Sequence, residues 1–478
     1  MVHGSKRKLE DLNVLLSRLP KSCKLHFESA PVKMVRASKQ YMYDDAGTEY
    51  LDGINNVAHV GHCHPQVVHA GQQQMARLST NFGFLTDVQG MYAKRLLETF
   101  PEPLNVCFLV NSGSEANDLA LRLARAYTKK KDIICVDNAY HGNLGSLINI
   151  SPCRFKKMQD FVKEDWVHVA PVPDVYRGIH RDTSNPGQKY ATEVAKIITH
   201  AHANNRQIAG YISELTMTNA GVIKPPIDYF KLIYSIVRGA GGVCIADEIQ
   251  TGLGRVGEHW WAFQHFDVVP DIVTCGKPMG NGHPMAAVVT SHQIADCLGD
   301  FISTYGGNPV ACAIGLSVLD IIHNEKLMSA AKSVGRCLLE GFKAILPLHT
   351  TMGDVRGLGM VVGVEIVTDK ESRKPSKEVA EMLSYKLKND ARMLVANDGP
   401  DKNVMTLVPP LCFTTDNAKQ LVTKFDKLLK EIEDGLLGKD TSKSIDDGKI
   451  SLDMISGIES DSDSDESEAK RARYDDVD

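Results

Sequence analysis

The sequence predicts an α/β protein in which a large domain, built on a mainly parallel sheet covered by helices, is accompanied by a smaller α+β domain. A chain of 478 residues exceeds what one hydrophobic core usually organises. Its composition, 43% hydrophobic, supports a substantial buried interior. Between residues 66 and 320, short apolar runs alternate with segments of helical length, which is the pattern of a parallel sheet with helices on both faces.

The N-terminal region, residues 1–65, is predicted to form an arm and part of the small domain. Within it, Asp44-Asp45-Ala46-Gly47 is typical of a turn between two strands. The large domain is predicted over residues 66–320, with strands at residues 106–110, 133–136, 208–212, 243–246, 272–275 and 286–289.

The C-terminal small domain is predicted over residues 321–438. Its helices are expected at residues 327–346, 379–388 and 417–432, and its strands at residues 359–367 and 405–408. Residues 439–478 are predicted to form a disordered acidic tail, because the Ser/Asp-rich run from Ser460 to Glu468 cannot bury a core. The sequence does not identify a partner for this tail.

The charge distribution argues against nucleic-acid binding. The net charge of −5 comes from the tail, since the residues before position 439 include 46 acids and 48 bases, without a basic surplus. We expect no membrane partner, because no apolar stretch is long enough to span a bilayer. The 11 cysteines include no CxxC pair and fit a reducing compartment, without disulfides or a metal site. A cytoplasmic location is expected, with the mitochondrial matrix as the alternative.

Two residues that follow apolar strands are the predicted catalytic pair. Lys277 follows the strand at residues 272–275 and precedes a glycine-rich turn, and Asp247 ends the run Val243-Cys244-Ile245-Ala246. Ligands of open α/β sheets bind beyond the carboxyl ends of such strands. A lysine amine that bonds a carbonyl carbon and a carboxylate that keeps a ring nitrogen protonated are the two protein groups that pyridoxal 5′-phosphate requires. The pair therefore predicts an enzyme that acts on amines.

The segment after the strand at residues 106–110 is the predicted site for the cofactor phosphate. Asn111-Ser112-Gly113-Ser114-Glu115 opens a predicted helix, whose backbone amides and positive end favour an anion. The spacing of Ser112 and Glu115 is equally that of an ordinary capping box, so both interpretations stay open on these residues alone. Tyr140, after the next strand, is placed to stack on a pyridine ring, and a buried core tyrosine is the alternative.

Several ordered motifs together resemble the class III aminotransferases, a fold type I pyridoxal phosphate family, over residues 25–434. They are residues 111–116, 140–142, 246–255, 276–277, 304–309 and, in the small domain, 355–359. The resemblance implies catalytic Lys277 and Asp247, and further cofactor contacts from Ser112, Gly113, Ser114, Tyr140, His141 and Gln250. It also implies that Thr304 reaches the cofactor phosphate of a neighbouring subunit, which requires a homodimer, with a tetramer as the alternative.

Three further segments, residues 54–65, 171–178 and 280–284, resemble the phospho-lyase branch of that family. Members of this branch eliminate phosphate from an amine. The favoured function is therefore elimination of phosphate from phosphoethanolamine or phosphohydroxylysine, giving aldehyde, ammonia and phosphate. Asn143 stands where the aminotransferases commonly carry an arginine, which argues against transfer of the amine to a keto acid.

The sequence departs from the phospho-lyase branch where arginine, histidine and lysine are expected, at Gly83, Thr86 and Thr406. A phosphorylated substrate needs cationic partners, which leaves Arg177, Arg181 and Lys224 as candidates. Asn56 is a further predicted substrate-binding residue. Two alternatives stay open. One is an aminotransferase of the alanine-glyoxylate or ω-amino type, and the other is a paralogue that has lost turnover and acts as a scaffold.

Overall fold

The structure is a computed structural model that describes residues 12–440. The predicted disordered tail therefore lies outside the described residues from position 441 onward. In the part of the chain that the structure describes, no helix combines the length and the apolar character needed to cross a membrane.

The described chain begins with a short helix and three antiparallel strands. Helix α1 (Leu12–Ser17) is followed by β1 (Met34–Ser38), β2 (Tyr41–Asp44) and β3 (Glu49–Asp52). The predicted turn is confirmed, and the Asp44 carboxylate accepts hydrogen bonds from the N–H groups of Ala46 at 3.0 Å and Thr48 at 2.8 Å. Such local acceptance is why aspartate favours turns. Helices α2 (Pro65–Arg77) and α3 (Asp87–Leu97) lead into the central sheet.

Seven strands form the central sheet, in the order β4-β10-β9-β8-β7-β5-β6. Their bounds are β4 (Val106–Val110), β5 (Asp132–Val136), β6 (Val167–Ala170), β7 (Ile208–Glu214), β8 (Val243–Asp247), β9 (Ile272–Cys275) and β10 (Ala286–Thr290). The strands predicted in this region are all present. Strands β5, β7, β8, β9 and β10 are buried along their whole length, which explains why they read as continuous apolar runs.

The mainly parallel sheet that the sequence predicts is confirmed, since four of its six strand pairings are parallel. Two details were not part of the prediction. Strand β10 runs antiparallel to both of its neighbours, β4 and β9. A parallel connection needs a crossover of a dozen or more residues, and the segment between Cys275 and Ala286 is too short for one. The prediction also missed β6 at the edge of the sheet, because its middle residues are only half-buried and include the polar His168.

The helices of this region connect the strands. They are α4 (Gly113–Thr128), α5 (Gly145–Ile148), α6 (Pro152–Phe155), α7 (Pro186–Ala203), α8 (Tyr229–Gly239), α9 (Ala262–His265) and α10 (His292–Ala295). Helix α4 packs on the middle of the sheet with one apolar face, formed by residues such as Leu119, Leu123 and Ala124. This packing fixes the start of α4 at the carboxyl end of the sheet, next to the ends of β8 and β9.

The C-terminal part of the described chain carries a second four-stranded sheet. Its elements are α11 (Pro309–Asn324), α12 (Leu327–Ile345), β11 (Met352–Leu358), β12 (Val361–Ile366), α13 (Lys377–Ala391), β13 (Met393–Leu394), β14 (Ala396–Asp398), β15 (Val404–Leu407) and α14 (Thr415–Asp440). The order β11-β12-β15-β14 is antiparallel throughout. Strand β13 instead pairs in parallel with β3, which joins the N-terminal strands to this part of the chain. The predicted strand at residues 359–367 is one arm of a hairpin whose other arm, β11, the sequence analysis missed.

Candidate active site

A cleft of about 190 Å³ lies at the carboxyl edge of the central sheet. Strands β8 and β9 are parallel neighbours, with Asp247 opposite Thr274, so Asp247 and Lys277 come out at the same edge. The predicted residues that line this cleft are Ser112, Gly113, Ser114, Tyr140, His141, Asp247, Gln250 and Lys277. The topology of the sheet thus collects these predicted residues from four separate segments of the chain.

Asp247 is buried and held by three donors. Its Oδ2 accepts a hydrogen bond from Asn117 Nδ2 at 2.8 Å and lies 2.8 Å from His141 Nδ1, and its Oδ1 accepts one from the Ile249 N–H at 3.1 Å. A buried carboxylate is stable only when such partners replace water. His141 is itself buried, and its Nε2 has no hydrogen-bond partner among the described residues.

Asn117 is a cleft-lining residue that the sequence analysis missed. Its Nδ2 also donates to the His141 carbonyl at 2.7 Å, and its Oδ1 accepts from Thr274 Oγ1 at 2.7 Å. The side chain therefore ties α4, the Tyr140 loop and β9 together around Asp247. The sequence signal that could have identified Asn117 is its position on α4. It comes three residues after Ser114 and therefore lies on the same helix face as the predicted phosphate site.

Lys277 points into the cleft, where its Nζ donates a hydrogen bond to Gln250 Oε1. Burial lowers the pKa of the Lys277 ammonium, and the carboxylates of Glu214 and Asp247 oppose that shift. The result is an amine that loses its proton more readily than an ordinary lysine while staying within the field of two carboxylates.

The start of α4 also lines the cleft. Ser112 is the N-cap, and its hydroxyl accepts a hydrogen bond from the Glu115 N–H at 3.2 Å, which confirms one half of the capping box. The Glu115 carboxylate accepts instead from the Asn111 N–H at 2.9 Å. Ser114 Oγ accepts a hydrogen bond from the Asn143 N–H at 3.2 Å. A Cβ on Gly113 would lie 2.5 Å from Ile249 Cδ1, which is closer than real contacts. An alanine at this position would therefore force the Ile249 side chain to shift.

Glu214 is the second residue that the sequence analysis missed. It ends β7, is 4% exposed and lines the cleft. Its Oε1 accepts from the Tyr140 N–H at 3.3 Å, and its Oε2 accepts from the Thr218 N–H at 3.0 Å. Burial raises the pKa of this carboxyl to about 7. The rule that functional residues follow strand ends would have found it, had the predicted strand not been ended at Ile212.

Tyr140 is half-buried at the edge of the cleft. The guanidinium carbon of Arg154 lies 5.0 Å from the centre of its ring, a cation–π contact. Burial raises the pKa of the Tyr140 hydroxyl.

The other predicted residues lie elsewhere. Thr304 lines a separate groove of about 700 Å³, together with Gly83 and Thr86. Arg177 pairs with the buried Glu365 and, at 3.0 Å, with Asp401. Arg181 is exposed and lies in the turn after Arg177. Asn56 is buried, and its backbone carbonyl accepts a hydrogen bond from Arg255 at 3.4 Å. Thr406 is a buried residue of β15.

Comparison with known proteins identifies the family. The model of the class-III aminotransferase family matches residues 26–429. The chain belongs to the class-III aminotransferases. Membership implies pyridoxal 5′-phosphate as the cofactor and places the fold among fold type I enzymes, as the motifs predicted.

Individual relatives carry two kinds of name. A Drosophila melanogaster protein named alanine–glyoxylate aminotransferase 2-like is 46% identical over 92% of this chain and 90% of its own length. A Caenorhabditis elegans protein named ethanolamine-phosphate phospho-lyase homolog 1 is 41% identical over 85% of this chain and 90% of its own. The solved structure of an Arthrobacter phospholyase in complex with phosphoethanolamine superposes with a TM-score of 0.83, at 33% identity, over 88% of this chain and 99% of that one.

Proposed function

We propose that this class-III enzyme is a phospho-lyase that eliminates phosphate from a small phosphorylated primary amine. The observation that carries the proposal is the 41% identity to the relative named ethanolamine-phosphate phospho-lyase homolog 1. Of the described residues that line the cleft, Lys277 is the only lysine or arginine, so the lining supplies neither an arginine for a carboxylate nor a second cation for a phosphate. The likeness to the phosphoethanolamine-bound Arthrobacter phospholyase supports the same assignment.

The residues of the cleft fit the cofactor that the family implies. The first turn of α4 offers the N–H groups of Gly113 and Ser114 to a phosphate, and the absence of a side chain at Gly113 lets the phosphate approach the backbone. Asp247 offers a buried anion to a protonated ring nitrogen. Ser112 and Tyr140 would contact the phosphate and the ring, His141 would hold Asp247, and Gln250 would lie beside the ring oxygen. When bound, pyridoxal phosphate supplies an aldehyde that captures the amine and a ring that accepts an electron pair.

Lys277 is the residue that handles the proton. Its Nζ would bond the cofactor until the substrate amine replaces it, and the released amine would then take a proton from the carbon that carries the substrate nitrogen. Burial favours the neutral form of this amine, which is the form that accepts a proton. The hydrogen bond to Gln250 fixes the direction in which Nζ points. Asp247, held by Asn117 and His141, keeps its charge in place throughout.

The expected products follow from the substrate. Loss of the proton on one carbon and of phosphate from its neighbour leaves an enamine, which water hydrolyses to an aldehyde and ammonia. The net reaction consumes one water and needs no keto acid. Of the predicted substrate-binding residues, Arg181 and Asn56 remain candidates for contacts to the substrate, whereas the charge of Arg177 is compensated by Glu365 and Asp401.

A homodimer is the assembly that the surface supports. The groove around Thr304 is bordered by apolar side chains that are unusually open to solvent, with Leu85 98%, Phe84 79% and Ile302 75% exposed. Patches of this kind mark interfaces, and a second copy of the chain placed here would bring Thr304 to the neighbouring cofactor site. Analytical ultracentrifugation of the wild type and of Leu85→Asp tests this. The wild type is expected to be a dimer, and Leu85→Asp is expected to be a monomer. A monomeric wild type would refute the proposed assembly.

The second candidate is an aminotransferase, which the name of the Drosophila relative favours. The two reactions separate cleanly in one assay. Holoenzyme mixed with phosphoethanolamine, without any keto acid, is expected to release phosphate, acetaldehyde and ammonia in equal amounts over many turnovers. An aminotransferase would instead stop after one turnover until a keto acid is added. Lys277→Ala should be inactive with and without the keto acid.

A further inference from the structure

Lys277 begins the turn, residues 277–284, that connects β9 to β10. These residues belong to neither a helix nor a strand. The turn contains Gly280 and Gly282, and Gly282 has a φ of +103° with open space where a side chain would lie. Glycine leaves the backbone more conformational freedom than any other residue. The position of Lys277 therefore depends on contacts that hold this turn from outside.

Asn281 supplies such a contact through both ends of its side-chain amide. Its Oδ1 accepts a hydrogen bond from the Val60 N–H at 2.9 Å, and its Nδ2 donates one to the Gly61 carbonyl at 2.9 Å. An amide offers an acceptor and a donor side by side, so it matches the N–H and C=O groups of two consecutive residues. The Asn281 backbone has a φ of +46°, a region that asparagine adopts more readily than most residues. The backbone conformation and the side-chain contacts therefore both favour asparagine at this position.

The segment that Asn281 contacts is held in place by other parts of the chain. Val60 is 1% exposed, and its neighbour His59 is fully buried. His59 Nε2 donates a hydrogen bond to the Leu253 carbonyl at 2.7 Å, and the His59 carbonyl accepts one from the Leu411 N–H at 2.7 Å. Leu253 follows β8 and Leu411 follows β15, so this segment is attached to the loops after two different sheets. Asn281 thus joins a glycine-rich turn to a buried and well-connected segment.

We propose that Asn281 is a positioning residue that holds the backbone of Lys277 where the lysine Nζ can bond the cofactor. The inference rests on the role that the proposed function gives Lys277, and it is independent of which amine the enzyme acts on. Asn281 is not among the described residues that line the cleft, so it acts on the cofactor through the turn. A reactive group that is held in place reacts at a far higher effective concentration than one on an unrestrained turn. Loss of the hydrogen bonds to Val60 and Gly61 should therefore weaken the bond between Lys277 and the cofactor and leave the other cofactor contacts intact.

Two forms of the cofactor test the inference. Pyridoxal phosphate carries the aldehyde that bonds Lys277, whereas pyridoxamine phosphate carries an amine in its place and cannot form that bond. Equilibrium titration of the apoenzyme gives both dissociation constants, and the wild type is expected to prefer pyridoxal phosphate. Asn281→Gly keeps the positive φ accessible and removes the side-chain hydrogen bonds. It should lower this preference about five- to tenfold, the effect of losing one or two hydrogen bonds of ordinary strength. A purely structural role of Asn281 would weaken the binding of both cofactor forms alike and leave the preference unchanged.

Asn205→Gly is the matched control, because Asn205 is exposed and has a similar φ of +56°, and it should show the wild-type preference. Asn281→Asp keeps an acceptor for the Val60 N–H and loses the donor to Gly61. Its preference should lie between those of the wild type and Asn281→Gly, and it decides the matter if the glycine variant does not fold. A preference that Lys277→Ala lowers and the Asn281 variants leave unchanged would overturn this inference alone. If Lys277→Ala shows the wild-type preference, Lys277 does not bond the cofactor, and the proposed function fails together with this inference.

Discussion

Arg177 and Glu365 form an ion pair that joins the loop after β6 to the C-terminal end of β12. Glu365 is fully buried and also pairs with Arg356, whose guanidinium donates to the Gly221 carbonyl in the loop after β7. That loop includes Asn219, which lines the cleft. The carboxylate of Glu365 therefore connects the C-terminal sheet to one wall of the site. It also balances the charge of Arg177, which the sequence analysis assigned to the substrate.

Removal of this carboxylate should destabilise the protein strongly. Glu365→Ala leaves two largely buried guanidinium groups without their shared partner, which typically costs about 3–5 kcal/mol in the free energy of unfolding. Urea denaturation measures the change. Asp401→Asn is the matched control, since Asp401 is half-exposed and its pair with Arg177 is worth about 1 kcal/mol or less. Equal effects of the two substitutions would contradict the role assigned to Glu365.

Gly113→Ala should weaken cofactor binding. The added Cβ would lie 2.5 Å from Ile249 Cδ1 and 3.1 Å from its Cγ2, so the Ile249 side chain, which lines the cleft, must shift. Overpacking of this kind costs about 1–3 kcal/mol, which corresponds to roughly a 5- to 150-fold loss of affinity for pyridoxal phosphate. Equilibrium titration of the apoenzyme measures it. The double variant Gly113→Ala/Ile249→Val removes the clashing Cδ1 and should recover part of the affinity, and no recovery would show that the contact is not the cause.

Glu248 gives stability a dependence on pH. This residue is fully buried on the side of β8 away from the cleft, where it accepts hydrogen bonds from the Phe263 N–H at 2.8 Å and from the Thr251 hydroxyl. Burial raises its pKa from 4.5 to about 7. The folded protein therefore holds a proton that the unfolded chain releases, so this contribution to stability is fully present below pH 4.5 and is lost as the pH rises through about 7.

Glu248→Gln replaces the titrating carboxyl group with an amide, which neither gains nor loses a proton in this pH range. The free energy of unfolding of the variant, relative to the wild type, should therefore increase between pH 5 and pH 8 by roughly 2–3 kcal/mol. Urea denaturation at the two pH values measures the difference, and because Glu214 is present in both proteins its own titration cancels. The exposed Glu340→Gln should show no such change. A pH-independent difference for Glu248→Gln would mean that its carboxyl group does not titrate in this range.

The sequence was informative where chemistry depends on strand order, and uninformative where it depends on contacts across the chain. Lys277 and Asp247 could be placed together because each follows a buried strand, and the carboxyl ends of parallel neighbours meet at one edge. Asn117 and Glu214 have no motif of their own, and their roles depend on His141, Thr274 and Tyr140, which come close only in the fold. Arg177 was assigned to the substrate for a similar reason, since nothing local to it points to Glu365.

Strand direction shows the same limit. The apolar run at Ala286–Thr290 predicts a buried strand, but its antiparallel direction is set by the short connection from β9 and by pairing with the distant β4. The short connection from β9 can be read from the spacing along the chain, but the pairing of β10 with β4 cannot.

The central claim is that Lys277 holds the cofactor covalently. Holoenzyme reduced with sodium borohydride, digested and analysed by mass spectrometry is predicted to carry a single phosphopyridoxyl group on the peptide that contains Lys277, and the same treatment of Lys277→Arg should label no lysine. Stable labelling of a different lysine in the wild type, or a saturated holoenzyme from which borohydride traps nothing, would contradict the account.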